Sequence, residues 1–214
     1  MLRAGSVLMA GWYEKHVLPR LVARSCGNTM LAPYRDRACA GLAGKILELG
    51  FGLGTNIGHY PAAVTGVVAI EPSDTAWRLS APARTASAIG IERGSLDGQI
   101  LAEADDSFDA ALSTFTLCTV ENPAAALAEI ARVLKPGGTL HFLEHGLAPE
   151  AKVQRFQRRV EPVQKALTGG CHLTRSVEGM LRDAGFSITA LDSFYLPGAP
   201  RFESALSLGT ATWS

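Results

Sequence analysis

The chain has 214 residues, of which 47% are hydrophobic and 19% are charged, which is typical of a globular protein with a substantial core. Its 20 basic residues balance 20 acidic ones, and this balance argues against nucleic acid or an anionic membrane as a partner. The 4 cysteines are too scattered for a compact disulfide framework, which favours reduced thiols and a cytoplasmic protein.

The first 25 residues carry apolar side chains at helical spacing, with a break expected at Pro19. Glu14 and Lys15 interrupt the apolar run, which is too short for a membrane span and has no convincing cleavage site. We predict that residues 1–44 form a helical cap on the main domain. A lid over a ligand site, or a surface in peripheral contact with a membrane, is the alternative for this segment.

From residue 45 the chain alternates short apolar runs with amphipathic segments. Strands are predicted at 45–50, just before "GSLDGQ", and at 66–72, 108–114, 139–145, 186–196 and 202–213. Helices are predicted from about residue 56 and at 75–90, 123–135, 150–167 and 177–185. This alternation predicts one α/β domain with a parallel sheet covered on both faces, and with antiparallel pairing at its end.

The stretch "ELGFGLGTN" places three glycines, Gly50, Gly52 and Gly54, directly after the first strand. In an open parallel sheet, ligands bind beyond the carboxyl ends of the strands, so this turn is the expected ligand site. A dinucleotide fingerprint would need a further glycine where Thr55 stands, so the loop favours another ligand.

Two carboxylates follow the next strands. Glu71 ends the second strand at the spacing of a group that accepts hydrogen bonds from both hydroxyls of a ribose, although a solvated turn residue is the alternative. Asp97 follows the third probable strand and could receive an adenine amino group, with a turn-forming aspartate as the alternative. Together with the glycine loop, these residues predict a nucleoside-containing ligand.

Four stretches in order, "ILELGFGLGTN", "VVAIEP", "DDSFDAALSTFTLCTV" and "EIARVLKPGGTLHFLEH", resemble the class I methyltransferases that use S-adenosylmethionine. The resemblance covers about residues 30 to 212. The later run "LEHG…GGCHLTR…LRDAGF" is similar to small methyltransferase-like proteins that methylate alkyl thiols and, more loosely, to quinone-biosynthesis methyltransferases. We expect this chain to lack the hydrophobic anchor of the animal thiol-methylating proteins, and therefore to have no integral membrane span.

The resemblance implies a Rossmann-like, doubly wound, mostly parallel sheet of about seven strands with an antiparallel last strand, in a core at 45–214. It implies S-adenosylmethionine as cofactor, bound by Glu48, Gly50, Gly52, Gly54, Glu71, Pro72, Leu96, Asp97, Thr114 and Phe115. Thr116 would lie where the methyl group points. Arg175 would pair with a carboxylate of the substrate or, alternatively, lie at the start of a helix.

Methyl transfer requires alignment of acceptor, methyl group and sulfur, and it needs a base only if the acceptor must lose a proton. His145, after the fifth strand, and His172, in "GGCHLTR", are the candidate catalytic bases, with structural or solvated histidines as the alternatives. Glu144 could be catalytic or structural. No metal site is predicted, because His145, Cys171 and His172 match no common zinc spacing.

The sequence therefore predicts an enzyme that methylates a small, fairly apolar molecule, with a thiol favoured as acceptor. An oxygen or ring-carbon acceptor, such as a phenol or quinone precursor, is the alternative within this class. From another class, the chain could be a non-catalytic partner subunit that binds the cofactor. An NAD-dependent oxidoreductase is disfavoured by Thr55 and by "RVLKPGG".

Overall fold

The computed structural model describes residues 29–167 and 170–213. Most of the predicted cap, residues 1–28, lies outside the described residues. The described part of the cap consists of a 3-10 turn, Thr29–Leu31, and the helix α1, Ala32–Cys39. The Nδ1 atom of His141, in the sheet, lies 2.9 Å from the carbonyl oxygen of Ala38, which ties α1 to the domain.

The described strands are β1 Gly44–Leu49, β2 Val64–Ile70, β3 Gly90–Arg93, β4 Phe108–Thr114, β5 Leu134–His145, β6 Ser187–Tyr195 and β7 Ala205–Thr212. The helices after α1 are α2 Asp74–Leu79, α3 Ala81–Ala86, α4 Pro123–Val133, α5 Ala151–Leu167, α6 Val177–Asp183 and α7 Arg201–Ser204. Within the described ranges, no helix combines the length and the apolar character that crossing a membrane requires.

The seven strands form one sheet in the order β3-β2-β1-β4-β5-β7-β6. Strands β1 to β5 pair in parallel, whereas β7 runs antiparallel to both of its neighbours, β5 and β6. The predicted doubly wound sheet of about seven strands with an antiparallel last strand is therefore confirmed. The strand order reverses between β1 and β4, and ligands of such sheets bind at this point.

Alternation along β1 sends its side chains to two different cores. Leu47 and Leu49 pack with α4 and α6 on one face, whereas Ile46 packs with α1 on the other. Glu48 points to the same face as Ile46, because successive side chains of a strand alternate. The charged side chain of Glu48 is thus directed towards α1.

Two predicted helices differ from the observed ones. The helix expected from about residue 56 is only a 3-10 turn, Ile57–His59. The segment predicted as one helix at 75–90 divides at Ser80 into α2 and α3, with Pro82 in the first turn of α3. Proline lacks the backbone N–H that a helix interior needs, and it is favoured in the first turn, where that N–H would have no partner within the helix.

Helix α4 begins as the sequence predicts, with Pro123 in its first turn and the side chain of Asn122 accepting a hydrogen bond from the backbone N–H of Ala125. The segment "KPGG" after it, however, belongs to β5. It forms an irregularity in the pairing with β4, which resumes at Thr139. The predicted final pair of strands is present, with α7 inserted between β6 and β7.

Candidate functional site

A cavity of about 670 Å³ lies beyond the carboxyl ends of β1, β2 and β4. Residues 49–53, 70–73 and 114–116, which follow these three strands, line it. The cavity is therefore at the point where the strand order reverses, as expected for an open α/β sheet. Its volume lies within the range of about 300–1,000 Å³ that is common for small-molecule and cofactor sites.

The glycine loop is held to the end of β2 by Glu71. One carboxylate oxygen of Glu71 accepts a hydrogen bond from the backbone N–H of Gly52 and the other accepts one from Ser73, each at 2.7 Å. Glu71 is buried, and this burial raises its pKa. Each carboxylate oxygen has a second lone pair, so Glu71 can still accept hydrogen bonds from a ligand.

Gly50 is required because the loop passes close to the end of β4. Its φ is +72°, and a Cβ atom at this position would lie 2.0 Å from Oγ1 of Thr116. Only glycine adopts this conformation without strain, and no side chain fits the space. The backbone of the loop therefore forms the floor of the cavity itself.

A buried polar network joins α1 to β1 and β4. The guanidinium of Arg35, a residue that lines the cavity and is only 3% exposed, donates to Oδ1 of Asn56 at 2.5 Å and to Oγ1 of Thr114 at 3.2 Å. The amide of Asn56 donates in turn to Glu48 at 2.9 Å, and Tyr60 also donates to Glu48. Burial raises the pKa of Glu48 to about 7. This network fixes a cation at the wall of the cavity.

Phe115 stands at the end of β4 with a φ of +55°, an unusual value for a residue other than glycine. Its ring lies between the guanidinium of Arg35, 5.6 Å from the ring centroid, and the ring of His145, whose centroid is 4.9 Å away. Strained backbone of this kind is often found at ligand sites. Here it directs an aromatic ring into the cavity wall.

Leu96 and Asp97 form the exposed rim of the cavity on the side of β3. The carboxylate of Asp97 accepts a hydrogen bond from the backbone N–H of Gln99 at 2.9 Å, and this bond lowers its pKa. Asp97 is thus both a turn-forming residue and a residue of the cavity rim.

Comparison with known proteins identifies the family. A methyltransferase domain model matches residues 47–142. A thiol S-methyltransferase of Homo sapiens is 33% identical over 168 residues, which are 74% of this chain and 67% of that protein. The chain belongs to the S-adenosylmethionine-dependent methyltransferases.

Other members of this methyltransferase family are similar over shorter stretches. A thiol S-methyltransferase of Rattus norvegicus is 34% identical over 151 residues, covering 69% of this chain, and the chain spans only 62% of that relative's length. A demethylmenaquinone methyltransferase of Clavibacter sepedonicus is 37% identical over 137 residues, covering 60% of this chain and 56% of that protein.

Solved methyltransferase structures share the fold. An S-adenosylmethionine-dependent methyltransferase from Mesorhizobium loti superposes with a TM-score of 0.63 at 21% identity, over 86% of this chain and 98% of the other. One from Methanosarcina mazei gives a TM-score of 0.62 at 22% identity, over 86% and 97% of the two chains.

In this methyltransferase, most of the residues predicted to bind cofactor or substrate meet at the one cavity. Those that line it are Gly50, Gly52, Glu71, Pro72, Leu96, Asp97, Thr114, Phe115 and Thr116. Glu48 and Gly54 do not line it. Glu48 lies behind Asn56, and a Cβ atom at Gly54 would be 2.6 Å from Cδ1 of Ile57, so both shape the site from behind.

Arg175, predicted to contact the substrate, does not line the cavity. Its guanidinium donates to the carbonyl oxygens of Leu117 at 2.8 Å and Val120 at 2.7 Å. On the other side of the same loop, the fully buried carboxylate of Glu144 accepts hydrogen bonds from Ser113 and from the backbone N–H groups of residues 116–118. In the methyltransferase, Arg175 and Glu144 therefore clamp the loop that follows β4.

The two predicted catalytic histidines have different surroundings. His172 lies 3.1 Å from Glu161, whose other oxygen accepts from the backbone N–H of Thr174. Its own backbone N–H donates to the carbonyl of Cys118 at 2.8 Å. His145 instead contacts Phe115 in the cavity wall, so it is the histidine whose surroundings are closer to the predicted acceptor site.

Three residues able to bind a metal come together next to the methyltransferase pocket: Cys118, His145 and Cys171, whose ligand atoms all lie within 4.8 Å of one another. The sequence predicted no metal site, because His145, Cys171 and His172 match no common zinc spacing. Cys118 takes the place of His172 in the observed cluster. The hydrogen bond between Cys171 and Cys118 and the neighbouring His145 lower the pKa of Cys171.

Arg35 and Asn56 were not predicted from the sequence as site residues. Arg35 is separated by one residue from Arg37, which instead forms an exposed ion pair with Asp192 at 2.6 Å. No local pattern distinguishes the two arginines. The only available signal was the general rule that a cation near the glycine loop would suit a carboxylate-bearing ligand.

Proposed function

We propose that this chain transfers a methyl group from S-adenosylmethionine to the sulfur of a small, fairly apolar thiol. The observation that carries the proposal is the identity of 33–34% with proteins named thiol S-methyltransferases, over about 70% of the chain. The free, buried thiols of Cys39, Cys118 and Cys171 suit a reducing compartment, so we place the reaction in the cytoplasm.

The residues of the cavity fit S-adenosylmethionine group by group. The guanidinium of Arg35 suits the carboxylate of the methionine part, and Glu71 suits the ribose hydroxyls. Leu96 and Asp97 would flank the adenine at the rim. The methyl group would then point towards residues 114–116, at the end of β4. Bound there, the cofactor supplies a methyl group that is already activated on a sulfonium.

The protein's own task is then to position the acceptor and exclude water, which can lower a barrier by roughly 7–11 kcal/mol. Phe115 and Val120 give this end of the cavity an apolar wall. An apolar thiol is a suitable acceptor here, because a thiol with a pKa of about 8.5 is already partly ionised at neutral pH. The reaction therefore does not depend on a protein base.

A second candidate is methylation of an oxygen or ring carbon of a phenol or quinone precursor. The identity of 37% over 137 residues with a demethylmenaquinone methyltransferase favours it. A hydroxyl acceptor would need a base, and the candidates for that role are His145, which contacts Phe115 in the cavity wall, and His172, held by Glu161.

The test is methyl transfer from labelled S-adenosylmethionine to a matched arylalkyl thiol and phenol across a range of pH. For a thiol acceptor, the rate should rise with pH as the thiolate forms, and His145→Ala and His172→Ala should each cost little at high pH, where the thiol ionises unaided. A preference for the phenol, with a loss of roughly 10²–10⁴-fold in His145→Ala or His172→Ala that persists at high pH, would establish the second candidate instead. Cofactor binding without turnover of any acceptor would indicate a non-catalytic subunit.

A further inference from the structure

We propose that Cys118, His145 and Cys171 bind one zinc ion, and that the open fourth position of this ion takes the sulfur of the acceptor thiol. The metal site stands on the geometry of the three side chains alone. The role of its fourth position rests on the proposed thiol methyltransferase function.

Two of the three distances between the ligand atoms match those of a tetrahedral zinc site. With bonds of about 2.3 Å to sulfur and about 2.0–2.1 Å to nitrogen, tetrahedral ligand atoms lie about 3.6–3.8 Å apart. The Sγ atoms of Cys118 and Cys171 are 3.6 Å apart, and Sγ of Cys171 is 3.8 Å from Nδ1 of His145. All three ligand atoms lie within 4.8 Å of one another, so a side-chain shift of about 1 Å at most brings the third distance to the tetrahedral value.

The backbone around the cluster is held in place independently of any ion. The loop carrying Cys118 is fixed from one side by Glu144 and from the other by Arg175. The backbone N–H of His172 donates to the carbonyl of Cys118 at 2.8 Å, which holds the two cysteine-bearing loops together. His145 ends β5 directly after Glu144. Ligands fixed in this way lose little conformational freedom when an ion binds, which favours binding.

The chemistry of the ligand set also selects zinc. Two thiolates and one imidazole form a site of the kind that three-ligand zinc enzymes use, with the fourth position left for water or substrate. The two thiolate charges balance the charge of Zn²⁺, so the occupied site is neutral before the acceptor binds. A neutral site is less costly to bury than a charged one.

The cluster borders the end of the cavity that the acceptor must occupy. His145 contacts the ring of Phe115, and Sγ of Cys118 lies 3.6 Å from Oγ1 of Thr119. Both Phe115 and Thr119 line the cavity. A thiol bound to the ion at its open position would therefore lie next to the place proposed for the methyl group.

Coordination would make the acceptor a thiolate near neutral pH, because a metal-bound thiol readily loses its proton. The thiol proton leaves to solvent, and a sulfur electron pair forms the new bond to the methyl carbon. The bond from that carbon to the sulfonium breaks, and its electron pair stays on the departing sulfur, which becomes neutral. The methylated product is a neutral thioether, a weaker ligand than a thiolate, and this favours its release.

The first experiment measures zinc content and affinity in the purified full chain under reducing conditions. We expect one zinc ion per chain, and we expect Cys118→Ala and Cys171→Ala each to weaken binding by more than the roughly 10–100-fold that loss of an outer hydrogen-bond partner costs. Cys39→Ala is the matched control, because Cys39 is also a buried free cysteine but lies on α1. Circular dichroism and thermal melting establish that each variant is folded.

The second experiment replaces zinc by cobalt and follows the sulfur-to-cobalt absorption while an arylalkyl thiol is added. A change in this absorption with the thiol, absent with the matched phenol, is expected. The midpoint of the pH–rate profile should then lie below the pKa of the free thiol.

Each of three results would overturn the inference. Wild-type chain that methylates thiols without binding zinc would remove the metal site while leaving the proposed function intact. A disulfide between Cys118 and Cys171, detected as the loss of two hydrogens in the intact mass of zinc-free protein, would give the cysteines another role. Zinc whose cobalt substitute does not respond to thiol would show that the acceptor binds elsewhere.

Discussion

Replacement of Glu71 by glutamine changes the charge at the centre of the proposed ribose site without changing its volume. The carboxylate accepts backbone hydrogen bonds on both oxygens, from Gly52 and from Ser73, at 2.7 Å each. Glutamine has a single acceptor oxygen, so one of these two backbone N–H groups must face an amide N–H₂ instead. The substitution therefore tests both the loop and the ligand contact.

The magnitude follows from the two sets of hydrogen bonds. A hydrogen bond to a charged group contributes about 1.5–3 kcal/mol, so loss of one backbone bond should lower the free energy of unfolding by about 2 kcal/mol. Loss of the charged acceptor for the ribose hydroxyls should raise the Kd for S-adenosylhomocysteine by roughly 10- to 150-fold. Glu92→Gln is the control, because the side chain of Glu92 is 73% exposed and makes only a 3.9 Å contact with Lys45.

The assay is calorimetric titration with S-adenosylhomocysteine and with its 2′-deoxy analogue, on wild type and on Glu71→Gln. If Glu71 binds the ribose, removal of the hydroxyl should weaken binding to wild type and should change binding to the variant much less. Equal losses in the two proteins would refute the reasoning, because Glu71 would then act only through the shape of the loop.

Three further predictions concern the residues around the same cavity. Gly50→Ala should lower the free energy of unfolding by about 2–4 kcal/mol in urea, because its Cβ would lie 2.0 Å from Oγ1 of Thr116. Gly58→Ala is the control, because a Cβ atom at Gly58 would meet nothing within 4 Å, and it should change the free energy of unfolding by less than about 0.5 kcal/mol. An equal effect in both variants would contradict the close approach of Gly50 to Thr116. Burial raises the pKa of Glu48 from 4.5 to about 7, so its contribution to stability is full below pH 4.5 and is lost as the pH rises through 7. Between pH 4.5 and 7, the free energy of unfolding measured in urea should therefore fall by about 3 kcal/mol more in wild type than in Glu48→Gln. Parallel pH profiles of the two proteins would show that the pKa of Glu48 is not raised. Arg35→Met should weaken the binding of S-adenosylhomocysteine, measured by calorimetry, by more than about tenfold. The binding of 5′-methylthioadenosine, which lacks the carboxylate, should be nearly unchanged. Equal losses of affinity for both ligands would show that Arg35 does not bind the carboxylate.

The sequence by itself determined the elements that carry the cavity. β4, Phe108–Thr114, has the predicted boundaries, and α4 begins at the predicted Pro123. These elements have strong local signals, namely continuous apolar runs for buried strands and a proline in the first turn of an amphipathic helix. The glycine loop and Glu71 could be predicted for the same reason, because they follow directly from the ends of two such strands.

The tertiary structure alone decided which distant side chains join that loop. Arg35 reaches the cavity because Glu48 and Thr114 face α1, a consequence of side-chain alternation in two neighbouring strands, and because Asn56, in the loop after β1, bonds to both of them and to Arg35. Cys118 and Cys171 are 53 residues apart in sequence, and their Sγ atoms come within 3.6 Å only because Glu144 and Arg175 fix the loop after β4. Local patterns report burial and turn formation, whereas contacts between loops depend on the packing of the whole sheet, and this is why the two cysteines could be paired only in the folded chain.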